Sequence, residues 1–425
     1  MKKLLLLFML SVFYFSACER IEVDDTDQQS NIELTITKSQ GLNQLTWTVA
    51  NVSTFKNYIV VRSNEIIPNS FDSIISPATI IATINDYEEN TFEDGGGLSQ
   101  NYVYYKVFVD IGDRILVGNS ARTRSNVEPL GFQVQDYAFN KESGHLFLTA
   151  QSSNKIHRIN YKTGGHASFT SGAASSENSL NISKVNGSNK LLVSDQQAFK
   201  VYEFDPINFN KVHTFSLPAT TIYSTAANNN GLMMASVREL NTATLIYTHG
   251  SSSNVGFRND ALYYRNRTIV SISDTENKFI EIENAAIHKY TLNNVGNVTS
   301  YTSKSVSSTA ATNHIAVSED GAYFVGDRTG KVYDKDLNLL GVLSASDATF
   351  YRGFAFSDDG TKLYALDYSN ENVYTFKFPS LELERSFSIG FTTLEINFHE
   401  GNLIVLGYQF VNPIGFQYCY QAIEL

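Results

Sequence analysis

IAVSEDGAYFVGD (315–327) and FAFSDDGTKLYALD (354–367) are two copies of one design. Each is a short apolar strand, an acidic turn ending in Gly, and a second apolar strand. Weaker copies read AFNKESGHLFLTA (138–150), SKVNGSNKLLVSD (183–195), STAANNNGLMMAS (224–236), VSISDTENKFIEI (270–282) and INFHEGNLIVLGY (396–408). The turns fall near Gly144, Gly187, Gly231, Glu276, Gly321, Gly360 and Gly401, so the unit returns every ~39–45 residues. One copy lacks the turn Gly, and Asp274-Thr-Glu-Asn277 stands in, because Asn and Asp tolerate the same backbone. Evenly spaced units of this length over the last ~300 residues predict an all-β seven-bladed β-propeller spanning 126–425.

Within each unit the pattern predicts four strands, clearest at Arg352–Ser357, Lys362–Asp367, Asn372–Phe378 and Leu383–Ile389. Alternation along each strand predicts one buried face. The last unit has only three strands before the chain stops. Glu128–Gln135 is a spare strand ahead of the first unit, expected to complete the last blade and leave no open edge. Ser357-Asp-Asp-Gly360-Thr-Lys-Leu-Tyr364, followed by Asn372-Val-Tyr374, resembles the YVTN/lactonase-like propellers of bacteria. That resemblance implies a fold. The family includes enzymes, binders and scaffolds, so it selects no function.

Ahead of the repeats, residues 31–125 hold alternating runs with no helical period. The expected strands are Ile32–Thr37, Asn43–Val49, Tyr58–Ser63, Ile80–Ile84, Tyr102–Val109 and Arg114–Asn119. Leu45-Thr-Trp47, Tyr58-Ile-Val-Val-Arg62, Thr91-Phe-Glu-Asp94-Gly and Asn101-Tyr-Val-Tyr-Tyr-Lys-Val107 resemble a fibronectin type III domain. The resemblance implies an immunoglobulin-like sandwich with Trp47, the only Trp, in its core, acting as a spacer. Asp72-Ser73-Ile74 resembles an O-glycosylation site of some bacterial envelope proteins.

The N-terminus reads as a targeting segment. Lys2 and Lys3 precede a short apolar run, then Phe15-Ser-Ala-Cys18. This ending resembles a bacterial lipobox and implies a signal peptide over 1–17, cleavage, and acylation of Cys18. Acyl chains would hold the protein at a membrane through a lipid anchor. Residues 18–30 are polar and acid-rich, a lipidated tether; their acid content resembles an outer-surface export signal. The expected location is therefore the cell envelope, on the outer membrane. With Cys18 acylated, Cys419 has no disulfide partner and is expected as a buried small apolar residue. The chain carries 32 basic and 43 acidic side chains, and losing Lys2 and Lys3 deepens the acidic excess. Such a balance argues against nucleic acid as partner.

In propellers, the connections into the first strand of each blade and those between second and third strands share one face around the channel. Reading those stretches gives ligand-binding candidates Asn181, Tyr223, Tyr263, Tyr264, Arg265, Arg267, Asn313, His314, Tyr351, Arg352 and Glu395. Tyr, Arg, His and Asn together stack on and hydrogen-bond sugars or peptides. The same residues also serve simply to plug a channel. No His-x-His, Gly-x-Ser-x-Gly or Cys-x-x-Cys-His motif is present, so no catalytic residue, metal site or cofactor is assigned. Asp334-Lys-Asp336-Leu-Asn338 begins like a calcium loop, but Leu339 stands where Gly is needed, and a plain turn is expected. Two functions stay open from the sequence. One is a non-catalytic binder of a glycan, peptide or partner protein. The other is a lactonase-like or glycan-cleaving enzyme at the channel mouth, using Glu395 and Asn313. A purely structural part of a larger complex is a third class.

Overall fold

A computed structural model describes residues 32–425 apart from 40, 75–77, 97–101, 152, 173–178, 196–197, 218–220, 240–241, 249–255, 259–267, 274–275, 284–285, 307–310, 346–347, 349, 370 and 412–414. Cys18 and the signal and tether segments lie outside the described residues, as do Tyr263, Tyr264, Arg265 and Arg267. The described residues are strands and turns, with a single 3₁₀ turn at Phe71–Ser73, where Asp72 and Ser73 are exposed. Two compact units emerge. The first takes in described residues up to 37, then 44–92 and 99–124; the second holds 38–43, 93–98 and 125–425.

In the first unit, Thr79–Ile84, Asn57–Ser63, Tyr102–Asp110 and Ile115–Arg124 form one antiparallel sheet in that order. Leu34–Ser39, Leu42–Trp47 and Thr91–Asp94 lie side by side. Trp47 is buried, with its ring edge-on to Tyr58 at 5.5 Å, in a core shared with Leu45, Val60 and Tyr105. Lys106 is also buried. Its ammonium donates to the carbonyls of Ile67 and Pro68 and to Asn69 Oδ1, clamping a loop, and burial pulls its pKa down to about 8.

Among the described residues of the second unit, four consecutive strands make each of six sheets. Sheet 1 runs from Val134–Asn140 to His166–Thr170, and sheet 2 from Leu180–Val185 to Lys211–Ser216. Sheet 3 runs from Thr221–Ala227 to Gly256–Arg258, and sheet 4 from Thr268–Ser273 to Val298–Ser305. Sheet 5 runs from Ala311–Val317 to Leu339–Val342, and sheet 6 from Tyr351–Phe356 to Leu383–Ser388. Sheet 7 has Thr392–His399, Asn402–Val411 and Gly415–Glu424, and its fourth strand is Glu128–Pro129. Glu128 stands opposite Tyr420, Pro129 opposite Cys419, and Leu130 N donates to Tyr418 O at 2.9 Å. The spare N-terminal strand is shorter than the sequence suggested, because residues from Val134 onward already belong to sheet 1.

Apolar clusters join neighbouring sheets. Phe147 of sheet 1 packs with Leu191 and Val193 of sheet 2, and similar clusters link each later pair. A further cluster joins Ile404, Leu406 and Tyr420 of sheet 7 to Tyr137, Leu146 and Leu148 of sheet 1. Leu146 and Leu148 thus serve one neighbour and Phe147 the other. This corrects the expectation of one buried face per strand. The second strands are buried on both faces and therefore read as unbroken apolar runs: Leu191–Val193, Leu363–Leu366 and Leu403–Leu406.

The turns between first and second strands follow local chemistry. In sheet 5, Ser318 Oγ donates to Asp320 Oδ1 at 2.6 Å, Ala322 N donates to the same oxygen, and Gly321 N closes the turn on Ser318 O. Ser357, Asp359 and Gly360 repeat these bonds in sheet 6. Gly321 and Gly360 have φ of +67° and +66°, and Asn277 takes the same left-handed backbone at +49°. Asp334 Oδ1 accepts from the backbone of Asp336 and Asn338, so that segment is an Asp-capped turn.

Candidate functional site

Most of the first strands carry an irregularity. In five sheets this strand slips against its neighbour near its start: Gln135, Tyr223 and Leu394 stand as single insertions, Arg352-Gly353 face one residue, and a longer slip covers 312–315, whereas the first strand of sheet 2 pairs without a break and that of sheet 4 slips near its end. Such bulges re-aim side chains, and they recur beside functional sites. Several residues picked from the sequence, Tyr223, Asn313, His314 and Arg352, fall at these bulges. Glu395 follows one directly.

The first strands of sheets 1, 2, 4, 5, 6 and 7 line a cavity of about 200 Å³. Tyr137, His314 and Glu395 border it, and so do Asn181, Lys141 and Phe398. Lys141 sits on a turn between first and second strands, so the cavity extends toward the face opposite the one that the sequence favoured.

Glu395 is 2% exposed. Tyr137 hydroxyl donates to its Oε2, and Ile396 N donates to Oε1 at 3.1 Å. Gly353 leaves the room, since a Cβ there would stand 2.7 Å from Oε1. Burial lifts this carboxyl well above its ordinary value; the Ile396 N–H opposes the rise and the Asp136 charge adds to it. Asp136 in turn accepts from Leu180 N at 2.7 Å and lies 3.6 Å from His314 Nε2. The His314 ring is 4.2 Å from that of Tyr137. Asn181 Oδ1 accepts from Ser183 Oγ at 2.6 Å. Asp136, Tyr137, His314 and Glu395 therefore bind one another and tie sheets 1, 2, 5 and 7 together. Asp136 and Tyr137 were not among the sequence candidates, because their partners Leu180 and Glu395 lie 44 and 258 residues away.

Tyr351 is not available to a ligand. It is 1% exposed and packs against Phe354 at 5.7 Å in the core between sheets 5 and 6, which corrects its place among the contact candidates. Tyr223 is half-buried, and Asn313 lies within Ala311–Val317. Arg352 is half-buried, with its guanidinium 4.3 Å from the centre of the Tyr368 ring. Arg328 approaches the same ring at 5.3 Å. Arg328 and Tyr368 each follow an Asp that ends a second strand. Asp327 accepts from Thr329 N at 2.7 Å and Asp367 from Ser369 N at 2.6 Å, and Asp195 does likewise with Ala198 N at 3.0 Å. The recurrence of Val-Ser-Asp195, Val-Gly-Asp327 and Ala-Leu-Asp367 was the sequence signal for this device. Exposed aromatics crowd the same connections: Phe350 (40%) and Tyr368 (42%), and Phe410 (63%) and Phe416 (59%) on the hairpin of sheet 7.

Among the described residues, no group of three His, Cys, Asp or Glu is placed to hold a metal ion, and no helix is long and apolar enough to cross a membrane. Cys419 is fully buried, and burial raises its thiol pKa far above the ordinary value.

No protein-family model matches the chain, and no curated protein matches it. Among solved structures, it is similar to the β-propeller domain of Cps50 (Swd1) from Myceliophteria thermophila. The identity is 14% and the TM-score 0.51, over 68% of this chain and 97% of that domain. At this identity the likeness speaks to fold alone. The chain is an all-β protein with a β-propeller relative among known folds.

Proposed function

We propose that this chain is a non-catalytic cell-envelope lipoprotein whose propeller binds a glycan, peptide or partner protein. In this account 1–17 is a signal peptide, Cys18 carries the lipid, and 18–30 is a tether to the outer membrane, displayed at the cell surface. The fibronectin type III-like sandwich over 31–125 is a spacer, and 126–425 is a seven-bladed propeller. Sheets 1 to 7, with the cluster joining sheet 7 to sheet 1, support the blade number.

One observation carries the binding role. The titratable groups of the cavity are turned on one another, whereas exposed rings and two guanidiniums gather at the connections on one face. An aromatic patch with cationic neighbours is the makeup of a recognition surface. The catalytic reading rests on Glu395, a carboxyl whose pKa burial raises well above its ordinary value. Binding of immobilised full-length protein to glycan and peptide arrays, run beside lactone and glycan turnover assays, separates the two. Saturable binding without product is expected, and turnover lost in Glu395→Gln would overturn the reading. Lipidation is tested separately by metabolic labelling with an alkyne fatty acid, which Cys18→Ala should abolish.

A further inference from the structure

We infer that Arg328, Arg352 and Tyr368 form a carboxylate clamp for an acidic segment of a partner polypeptide. This deepens the binding role proposed above and rests on it. Tyr368 and Arg328 lie in the connections between second and third strands of sheets 6 and 5, and Arg352 sits on the bulge opening sheet 6. Backbone bonds fix the three together: Tyr351 N donates to Arg328 O at 2.8 Å, and Tyr368 N to Phe350 O at 3.0 Å.

Both guanidiniums lie over one ring, at 4.3 and 5.3 Å from its centre. Each has its Nε buried with no hydrogen-bond partner, and neither has an ion pair among the described residues. Two like charges held this close, in a chain with 43 acidic and 32 basic side chains, are an arrangement that an anion completes. The planar fork of Arg matches a carboxylate through two parallel N–H···O bonds. Tyr368 holds the forks in place by cation–π contact.

The surroundings favour a peptide over a polyanionic sugar chain. Phe350 stands 40% exposed beside the clamp, ready for an apolar side chain next to the acidic one. The clamp is a local positive site on an acidic protein, so a uniformly charged polyuronate would be repelled along the rest of its length. A mixed acidic and apolar segment meets no such penalty.

The test uses full-length protein and a short peptide bearing alternating Glu and Phe, with polyglucuronate as the second probe, by isothermal calorimetry. The expected result is saturable peptide binding that weakens with salt. Arg328→Gln and Arg352→Gln should each lose about tenfold or more, and Arg352→Lys should lose part, since it keeps the charge without the fork. Thermal unfolding of each variant checks that it is folded; Tyr368 is exposed and the two arginines are half-buried, so a small shift in unfolding with a cooperative transition is expected. Peptide binding equal in wild type and both Gln variants, or no peptide binding at all, would overturn the clamp while leaving other ligands of the propeller open. Binding of polyglucuronate in place of the peptide would overturn the choice of partner. Turnover of any probe would instead sink the binding role itself.

Discussion

Replacing Glu395 with Gln is expected to flatten the pH dependence of stability in the second unit. The carboxyl is 2% exposed, hydrogen-bonded by Tyr137 hydroxyl and Ile396 N. Burial raises its pKa well above the ordinary 4.5; the Ile396 N–H opposes this and Asp136 reinforces it. In the unfolded chain the group loses its proton near pH 4.5. Between that pH and the folded pKa, the native state binds a proton that the unfolded state has released. The stabilisation is therefore complete below pH 4.5 and drains away as pH rises through the window. Each pH unit of the window costs about 1.4 kcal/mol. In a unit of about 300 residues that is roughly 2 °C in Tm per pH unit. Gln has no proton to lose. Its oxygen accepts from Ile396 N and its amide donates to the Tyr137 oxygen, so the packing is kept. The assay is differential scanning calorimetry of both proteins from pH 4.5 to 8 at fixed ionic strength. The two should coincide near pH 4.5, and the variant should gain on wild type as pH rises. Parallel curves, or a variant less stable by a constant amount, would refute the claim that this carboxyl is protonated in the folded chain.

Four further outcomes follow from single positions. Gly360→Ala is expected to cost about 1 kcal/mol for its left-handed backbone, with open space around the new methyl. Gly321→Ala meets Ile272 O at 2.0 Å and should cost at least about 2–3 kcal/mol by guanidinium unfolding; equal losses would contradict the packing of sheet 5 on sheet 4. Lys106, pulled down to about 8 from 10.5, binds its proton more weakly in the folded state, so the first unit should gain stability as pH rises from about 8 to 10.5. Lys106→Met should abolish that gain, and an unchanged gain would assign it to another group. In a Cys18→Ser background, Cys419 should resist Ellman's reagent until the protein unfolds, because the thiol is buried and its pKa raised; rapid native labelling would contradict its place in the core.

The repeat was legible because its turns are made by short-range chemistry. Ser357, Asp359 and Gly360 close their turn among themselves, so the local sequence carries the whole instruction. The boundaries of sheet 6 were likewise readable to within a residue or so, since turns bracket every strand. The candidate site was legible only in part. Its location along the first strands followed from the repeat, and Glu395, His314 and Arg352 were found that way, although the cavity extends toward the strand ends. The direction of each side chain was not, because the bulges at Tyr223 and Arg352 depend on register against a neighbouring strand. Tyr351 and Arg352 are adjacent in sequence, yet one is in the core and the other at the surface. Tyr137 was invisible as a site residue because its partner Glu395 lies 258 residues away.

Pairing of Glu128–Pro129 with the last sheet decides whether the first strands surround one shared cavity, and one substitution tests it. Pro129 faces Cys419, and the bond from Leu130 N to Tyr418 O makes that facing pair the close, non-hydrogen-bonded kind. Such a pair has the spacing that a disulfide requires. Oxidised full-length protein carrying Pro129→Cys and Cys18→Ser should contain no free thiol and should migrate differently on gels with and without reductant. Two free thiols persisting in the folded, oxidised protein would mean that the last sheet is not completed by the segment before the first repeat.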